Sequence, residues 1–274
     1  MIFYKTVSTG NDFLHVDLGQ SDLLCLKSLN KGDLAKKLCQ RKTGPGADGV
    51  IYFKIRKQSA DFDIYNRDGS RAELSGNGMA GCAALLLYLN KFQERVILHT
   101  RVGERSISLI NRDNNRLGLK VEIGAADFQN CQFFPFLKQG ILKYEHKGVT
   151  FYPVSVGNPH AVILFKEPAG EDKLISLAKL LSGANIFPQQ VNVEFVDYND
   201  PLDCRVFFYE RGVGPTLSSS TGSAAVFAVL QKINLVQDRL WIQTQEGIIR
   251  ILGKEKIYVE NSAKIVYKGV FFYS

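Results

Sequence analysis

Tyr65-Asn66-Arg67, then Leu74-Ser75-Gly76-Asn77-Gly78 and the apolar run Met79 to Leu89, has a counterpart later in the chain. There Tyr209-Glu210-Arg211 is followed by Ser218-Ser219-Ser220-Thr221-Gly222 and the apolar run Ser223 to Leu230. One offset relates the two stretches without a gap (219 − 75 = 144). Val7-Ser8-Thr9-Gly10-Asn11 against Val154-Ser155-Val156-Gly157-Asn158 stands at nearly the same offset (158 − 11 = 147). A duplication at this long period predicts two homologous halves, joined somewhere around residues 125 to 147. Each half carries one helix that is apolar nearly all round, and such a helix belongs in a core, covered on every side.

The sequence around these helices alternates with period two. Leu117, Leu119, Val121 and Ile123 form one such set; Val206 and Phe208, Leu240 and Ile242, Ile249 and Ile251, and Ile257 and Val259 form others. Each reads as a half-buried strand. Turn signals fall at Asp17-Leu18-Gly19, Asn111 to Asn115 and Gly253-Lys254. Two amphipathic helices are expected at Asp33 to Gln40 and Asp172 to Ser182, the second with Gly183 as its C-cap. The expected fold is therefore α+β, with two pseudo-symmetric domains, residues 1–125 and 126–262. Each is a curled β-sheet wrapped around a central buried helix, with an active-site cleft between the domains.

Composition narrows the function. The hydrophobic share of 45% and the charged share of 22% are those of a globular chain. The net charge of +7 is dispersed rather than gathered in a basic stripe, which argues against a dedicated nucleic-acid role. No apolar run reaches the roughly 18 residues of a membrane span. The opening Met1-Ile2-Phe3-Tyr4-Lys5 reads as a strand and not as a signal peptide, so a cytoplasmic protein with no membrane partner is the expectation. Cysteines at 25, 39, 82, 131 and 204 have no CxxC spacing and the four histidines form no HExxH, so neither a disulfide framework nor a metal site is expected. Both core helices begin in a small, polar, glycine-rich loop. Helix N-termini carry unpaired N–H groups and partial positive charge, so the two loops suit carboxylates or a developing carbanion.

Seven motifs occur in order: Gly10-Asn11-Asp12-Phe13, Gly46-Ala47-Asp48-Gly49, Asn66-Arg67-Asp68-Gly69-Ser70, Ser75-Gly76-Asn77-Gly78, Gly157-Asn158-Pro159-His160, Asn192-Val193-Glu194-Phe195 and Glu210-Arg211-Gly212-Val213-Gly214. Together they resemble the diaminopimelate epimerase family, from residue 2 to about residue 225. The resemblance implies a cofactor-independent isomerase that interconverts LL- and meso-diaminopimelate, on the route to lysine and peptidoglycan. Two cysteines of the family, one per domain, remove and return the α-proton from opposite sides. It further implies a small-molecule amino-acid substrate, a homodimer, and a C-terminal segment, 263–274, returning to the first domain. Carried over by motif, Asn11, Asn66, Asn158 and Asn192 hold the distal end of the substrate. Arg211, with Glu210, lies on the segment that handles its polar groups at the reacting centre. Gly76, Asn77, Ser220 and Thr221 offer the helix N-termini to the α-carboxylate, and His160 and Glu210 stand beside the acid/base positions.

The acid/base positions themselves depart from the family pattern, because they are Ser75 and Ser219. Val7 replaces the histidine of the first motif, Ser220 a glycine, and Ala80-Gly81-Cys82 the usual Arg-Cys. A thiol titrates near neutrality at a helix N-terminus, whereas a serine hydroxyl needs an adjacent base to act as one. Three readings follow: an isomerase with altered machinery in which Glu210 and His160 act directly or activate the serines; a binding paralogue that keeps the amino-acid site; or an epimerase whose cysteines were exchanged for serine to stop turnover. Other roles stay open for individual residues: a satisfied core histidine for His160, a strand-end residue for Asn192, an ion-paired surface arginine for Arg211. Asp48 reads as capping its own loop, and Cys82 as a buried structural thiol.

Overall fold

The computed structural model describes residues 1–19, 30–165 and 170–272. Cys25 and the end of the segment 263–274 lie outside the described residues. The chain divides into two compact units, Met1–Val121 with Glu260–Ser274, and Glu122–Val259.

The first unit runs β1 (Ile2–Ser8), β2 (Asn11–Asp17), α1 (Lys31–Leu38), β3 (Gly49–Ile55), β4 (Ala60–Asn66), α2 (Gly76–Tyr88), β5 (Arg95–Thr100), β6 (Gly103–Asp113) and β7 (Arg116–Gly124). The second runs β8 (Tyr144–His146), β9 (Val149–Ser155), β10 (Pro159–Leu164), α3 (Glu171–Ser182), β11 (Asn192–Asp200), β12 (Asp203–Glu210), β13 (Gly214–Thr216), α4 (Ser220–Lys232), β14 (Arg239–Thr244) and β15 (Gly247–Gly253). The last strand, β16 (Ile257–Val270), pairs antiparallel with β1 and closes the strands of the first unit on themselves.

The duplication holds at the level of backbone pairing. In the first unit β4 pairs parallel with β5 through Ala60–Leu98 and Asp61–His99. In the second β12 pairs parallel with β14 through Cys204–Ile242 and Arg205–Gln243, the same register 144 residues on (204 − 60 = 144). The following hairpins match too, Arg95 opposite Ser108 and Arg239 opposite Leu252. Thr100 Oγ1 donates to the Gly103 carbonyl at 2.6 Å and Thr244 Oγ1 to the Gly247 carbonyl at 2.8 Å.

Helices α2 and α4 are 13 residues each. Ala, Leu and Met favour the helix in α2, and no residue from Gly76 to Leu87 reaches solvent appreciably. It packs against β1, β2, β5 and β6, while α4 packs against β9, β10, β11, β14 and β15. Both end in the same cap. Asn90 (φ 55°) and Asn234 (φ 61°) adopt the left-handed conformation. Lys91 N–H then reaches back to the Leu86 carbonyl and Leu235 N–H to the Leu230 carbonyl, which terminates each helix in a Schellman turn. On the outer face α1 lies on β3 and β4, and α3 on β11 and β12. Phe134, Phe136, Phe151 and Phe187 pack edge to face beside α3.

Two local expectations shift. The turn expected over Asn111 to Asn115 is confined to Asn114 and Asn115, because Asn111, Arg112 and Asp113 stay paired with Gly118, Leu117 and Arg116. Gly183 does cap α3, but with right-handed backbone (φ −91°). Leu85 lies at zero exposure in the middle of α2. Truncation to alanine therefore leaves a cavity enclosed on all sides, and Leu85→Ala is expected to lower the free energy of unfolding by about 2–5 kcal/mol in urea titrations.

Candidate active site

Each core helix starts from a serine whose side chain completes the first turn. Ser75 (φ −145°, ψ 116°) accepts the Gly78 N–H at 3.0 Å. Ser219 (φ −144°, ψ 121°) accepts the Gly222 N–H at 3.2 Å. The cap is needed because the first N–H groups of a helix have no partner within it, and neither helix head opens freely to water. Gly76 and Ser220, the first helical residues, are buried.

In the first unit a two-residue hairpin, Thr9 (φ 41°) and Gly10 (φ 86°), joins β1 to β2. Glycine suits such a turn, but a β-branched residue does not. Thr9 is held there by donating from Oγ1 to Asn77 Oδ1 at 3.0 Å. Asn77 Nδ2 donates to Asn11 Oδ1 at 2.6 Å, and Asn11 Nδ2 to Asp48 Oδ2 at 3.5 Å. Asp48 therefore does not simply cap its own loop: its carboxylate receives the Asn11 amide and, at 3.2 Å, the Asp12 N–H. Arg41 grips Asp12 with two bonds, of 3.0 and 2.8 Å, and reaches Asp48 at 2.8 Å. Lys5 Nζ lies 2.8 Å from Asp12. Asn66 stands apart from this network and donates to Ser70 Oγ at 3.0 Å within its own turn.

Burial alone would raise the Asp12 carboxyl, but the hydrogen bonds and charges of Arg41 and Lys5 outweigh it and hold the group at about 2. Asp48 moves upward, from burial first and then from the negative charge of Asp12.

In the second unit a connected chain leads from the interior to the head of α4. Glu194 Oε1 and His160 Nδ1 are 2.7 Å apart, and His160 Nε2 is 2.9 Å from Asn158 Oδ1. Asn158 Nδ2 donates to Thr221 Oγ1 at 3.4 Å, and Thr221 Oγ1 is 3.5 Å from Ser219 Oγ. The His160 and Glu194 side chains are each 1% exposed. Both ring nitrogens of His160 are thus engaged inside the unit. A second group surrounds Asn192, which donates to the Pro159 carbonyl at 3.0 Å and accepts the Arg211 N–H at 3.1 Å. Arg211 also donates to the Gln189 carbonyl at 2.9 Å, and Glu210 accepts from Thr216 Oγ1 at 3.3 Å.

The structure thus joins Asn11 with Asn77, joins Asn158, His160, Thr221 and Ser219, and joins Asn192 with the Arg211 backbone. None of the described cysteines caps either helix head. Cys82 is fully buried inside α2 and burial pushes its thiol up; burial likewise pushes Cys39 and Cys204 up to about 12. Cys131 is exposed. Among the described residues no cluster of His, Cys, Asp and Glu is arranged to hold a metal, and no helix is long and apolar enough to cross a membrane. Glu194 and Thr9 are functional candidates that the motifs alone did not single out. The available signal for Glu194 was an acid inside the apolar run Val191 to Val196, since a buried acid requires a partner.

The sequence model of the diaminopimelate epimerase family matches residues 3–129 and 152–269. The diaminopimelate epimerase of Carboxydothermus hydrogenoformans is 33% identical over 283 residues, covering 99% of this chain and 100% of the relative. That of Methanothermobacter thermautotrophicus is 29% identical over 288 residues, covering 98% of each. Among solved structures, a hydroxyproline epimerase from Agrobacterium vitis with bound trans-4-hydroxy-L-proline superimposes with a TM-score of 0.69 at 16% identity, covering 98% of this chain and 91% of that one. At that identity the likeness is one of fold.

Asp12 supplies a pH test of the network. Its folded pKa lies below the ordinary value, so its ionised form stabilises the fold above about pH 4, and that contribution is lost as pH falls from 4 toward 2. Asp48 acts in the opposite sense, since protonation relieves its upward-shifted carboxylate. With partial solvent screening by the exposed Arg41, Asp12→Asn should be less stable than the parent by about 1 kcal/mol at pH 7. The gap should narrow between pH 4 and pH 2 in denaturant titrations. A gap independent of pH would contradict the assignment.

Proposed function

Because the chain belongs to the diaminopimelate epimerase family, we propose that it inverts the α-carbon of diaminopimelate by removing a proton from one face and returning one to the other, with no cofactor. The observation that carries this reading is the pair of serine-headed buried helices. Ser75 and Ser219 cap α2 and α4 with nearly identical backbone angles, and they stand where the motif resemblance would put the acid/base pair.

In this reading the helix N-termini receive the substrate α-carboxylate, through Gly76 and Asn77 in the first unit and Ser220 and Thr221 in the second. Their fixed N–H groups stabilise negative charge as it builds up on the carboxylate when the α-proton leaves. Asn11, Asn66, Asn158, Asn192 and Arg211 hold the rest of the amino acid. Glu210 is the carboxylate that activates a hydroxyl in this reading, and His160 contributes from behind Asn158. Serine is the weak point of the scheme: as a proton donor to a carbanion it is competent, but as a base it requires help. That weakness gives a second reading its support, a protein that binds the amino acid without exchanging its α-proton.

The two readings separate in D₂O. Incubated with LL- or meso-diaminopimelate, the enzyme should wash deuterium into the α-position, followed by proton NMR. Saturable binding without exchange would establish the binder and overturn the isomerase. Thiols at these helix heads have lowered pKa values, and a well-matched acid or base contributes about 10²–10⁴-fold. The double variant Ser75→Cys/Ser219→Cys should therefore raise the exchange rate by about 10²-fold or more, far beyond either single change. A double variant that binds diaminopimelate normally and exchanges no faster would show that catalysis does not run through these two positions.

A further inference from the structure

The two helix heads match in backbone and differ in what lies beneath them. A Cβ on Gly78 would touch Ile51 and Ile64, each at 3.2 Å. A Cβ on Gly222 would meet Glu194 Oε1 at 2.7 Å and Phe208 at 2.9 Å. Ile64 and Phe208 are 144 residues apart (208 − 64 = 144) and occupy matching strands. Ile51 and Glu194 also match, since Gly49 opposes Phe13 in the first unit as Asn192 opposes His160 in the second. The buried pair Glu194–His160 therefore stands where the first unit has Ile51 and Phe13. Gly222 of α4 thus faces a carboxyl where Gly78 of α2 faces two isoleucines, while the buried Thr6–His15 pair lies further along α2, at Gly81; glycine at 222 lets α4 approach the Glu194 carboxyl closely.

The hydrogen bonds of the two heads also run in opposite directions. In the first unit they run from Thr9 to Asn77, to Asn11 and on to the Asp48 carboxylate. Ser75 Oγ receives only the Gly78 N–H among the described hydrogen bonds. In the second unit Asn158 gives its amide hydrogen to Thr221, so its oxygen must accept from His160, which requires a proton on Nε2. A proton between Nδ1 and Glu194 Oε1 completes the pair. Thr221, its oxygen already accepting, has its own hydrogen left for Ser219. The spacings lengthen from 2.7 and 2.9 Å in the interior to 3.4 and 3.5 Å at the head. Catalytic hydrogen bonds are often long before substrate tightens them.

From this geometry we infer that Glu194 and His160 are positioning residues that turn the donors of Asn158 and Thr221 toward Ser219, making Ser219 the proton-donating face of the site. The inference rests on the isomerase reading above. In the step it describes, Ser75 Oγ takes the Cα proton on the other face as its own hydroxyl proton passes to the activating carboxylate of the proposed function, leaving the electron pair on the substrate. The Ser219 O–H bond then breaks, its proton goes to Cα, and the alkoxide left behind is met by the Gly222 N–H and the Thr221 O–H until solvent reprotonates it. The amide of Asn158 orients this chain and carries no proton along it.

Two measurements test the inference. In the full-length protein labelled with ¹⁵N-histidine, with the His160 resonances identified by their loss in His160→Gln, Nε2 should carry a proton. A bare Nε2 would reverse the chain and overturn the inference, whatever the protein's activity. In the D₂O exchange assay, Thr221→Val should slow turnover about 10²-fold with unchanged diaminopimelate affinity by calorimetry, and Thr221→Ser should restore it. Glu194→Gln should show the same loss, and the double variant Glu194→Gln/Thr221→Val should be no slower than Thr221→Val alone. Full activity in Thr221→Val, or losses that multiply in the double variant, would overturn it. A parent that binds diaminopimelate and exchanges nothing would defeat the isomerase reading instead, with the state of the ring nitrogen still deciding the direction of the chain.

Discussion

The rest of the molecule depends on enclosing a helix that has no polar side. An apolar helix within a curled sheet keeps its mid-section out of water, and its ends remain the places where backbone groups lack partners within the helix. At the C-terminal ends the lack is met within the backbone, by the left-handed asparagines Asn90 and Asn234. At the N-terminal ends it is met by Ser75 and Ser219. Polar residues gather there because the enclosed helix requires a cap, and the same cap leaves N–H groups aimed at whatever anion arrives. The structural requirement and the chemical opportunity therefore occur at the same residues, once in each unit.

Duplication copies the cap faithfully and the surroundings loosely. Ile51 and Phe13 fill with apolar atoms the positions that Glu194 and His160 occupy with a hydrogen-bonded pair. Burying such a pair is unfavourable unless its bonds are made, and replacing it with apolar residues is often neutral or stabilising. Among the described residues Glu194 Oε2 even has no partner. A stability argument thus gives little reason to keep the pair in the second unit, while a requirement for a fixed imidazole tautomer behind Asn158 does. The first unit instead invests its charges in Arg41, Asp12, Asp48 and Lys5, which set the position of Asn11 from the side.

Much of this was legible in the sequence because it is local or repeated. The 144-residue offset exposed the two halves, and apolar runs with serine just ahead of them exposed the core helices and their heads. The motifs identified Asn11, Asn77, Asn158, His160 and Thr221 as polar groups worth placing. The partners were not legible. Nothing near His160 announces Glu194, which lies 34 residues away and meets it through the parallel pairing of β10 with β11. Asp48 looked self-contained because loop aspartates commonly are, and only the register of β2 on β3 brings it to Asn11 and Asp12. Asn111 to Asp113 looked like a turn because their composition is that of one; pairing with the adjacent strand overrode that local preference.

Serine at both heads sharpens the chemical question, because the described cysteines lie elsewhere. Cys39, Cys82 and Cys204 lie where burial raises the thiol pKa, so none can supply a thiolate near neutrality. A serine at a helix head gains from the same N–H groups that would lower a thiol, but its starting point is so much higher that they cannot make it a standing base. They can make it a better donor, since the alkoxide left after proton transfer is what those N–H groups stabilise. A site that relies on serine is therefore pushed toward unequal faces, one that gives a proton readily and one that must borrow basicity from a neighbour. A polar chain runs from Glu194 to Ser219 and none of the described hydrogen bonds makes such a chain to Ser75, an inequality of that kind in two halves whose core-helix heads are otherwise alike.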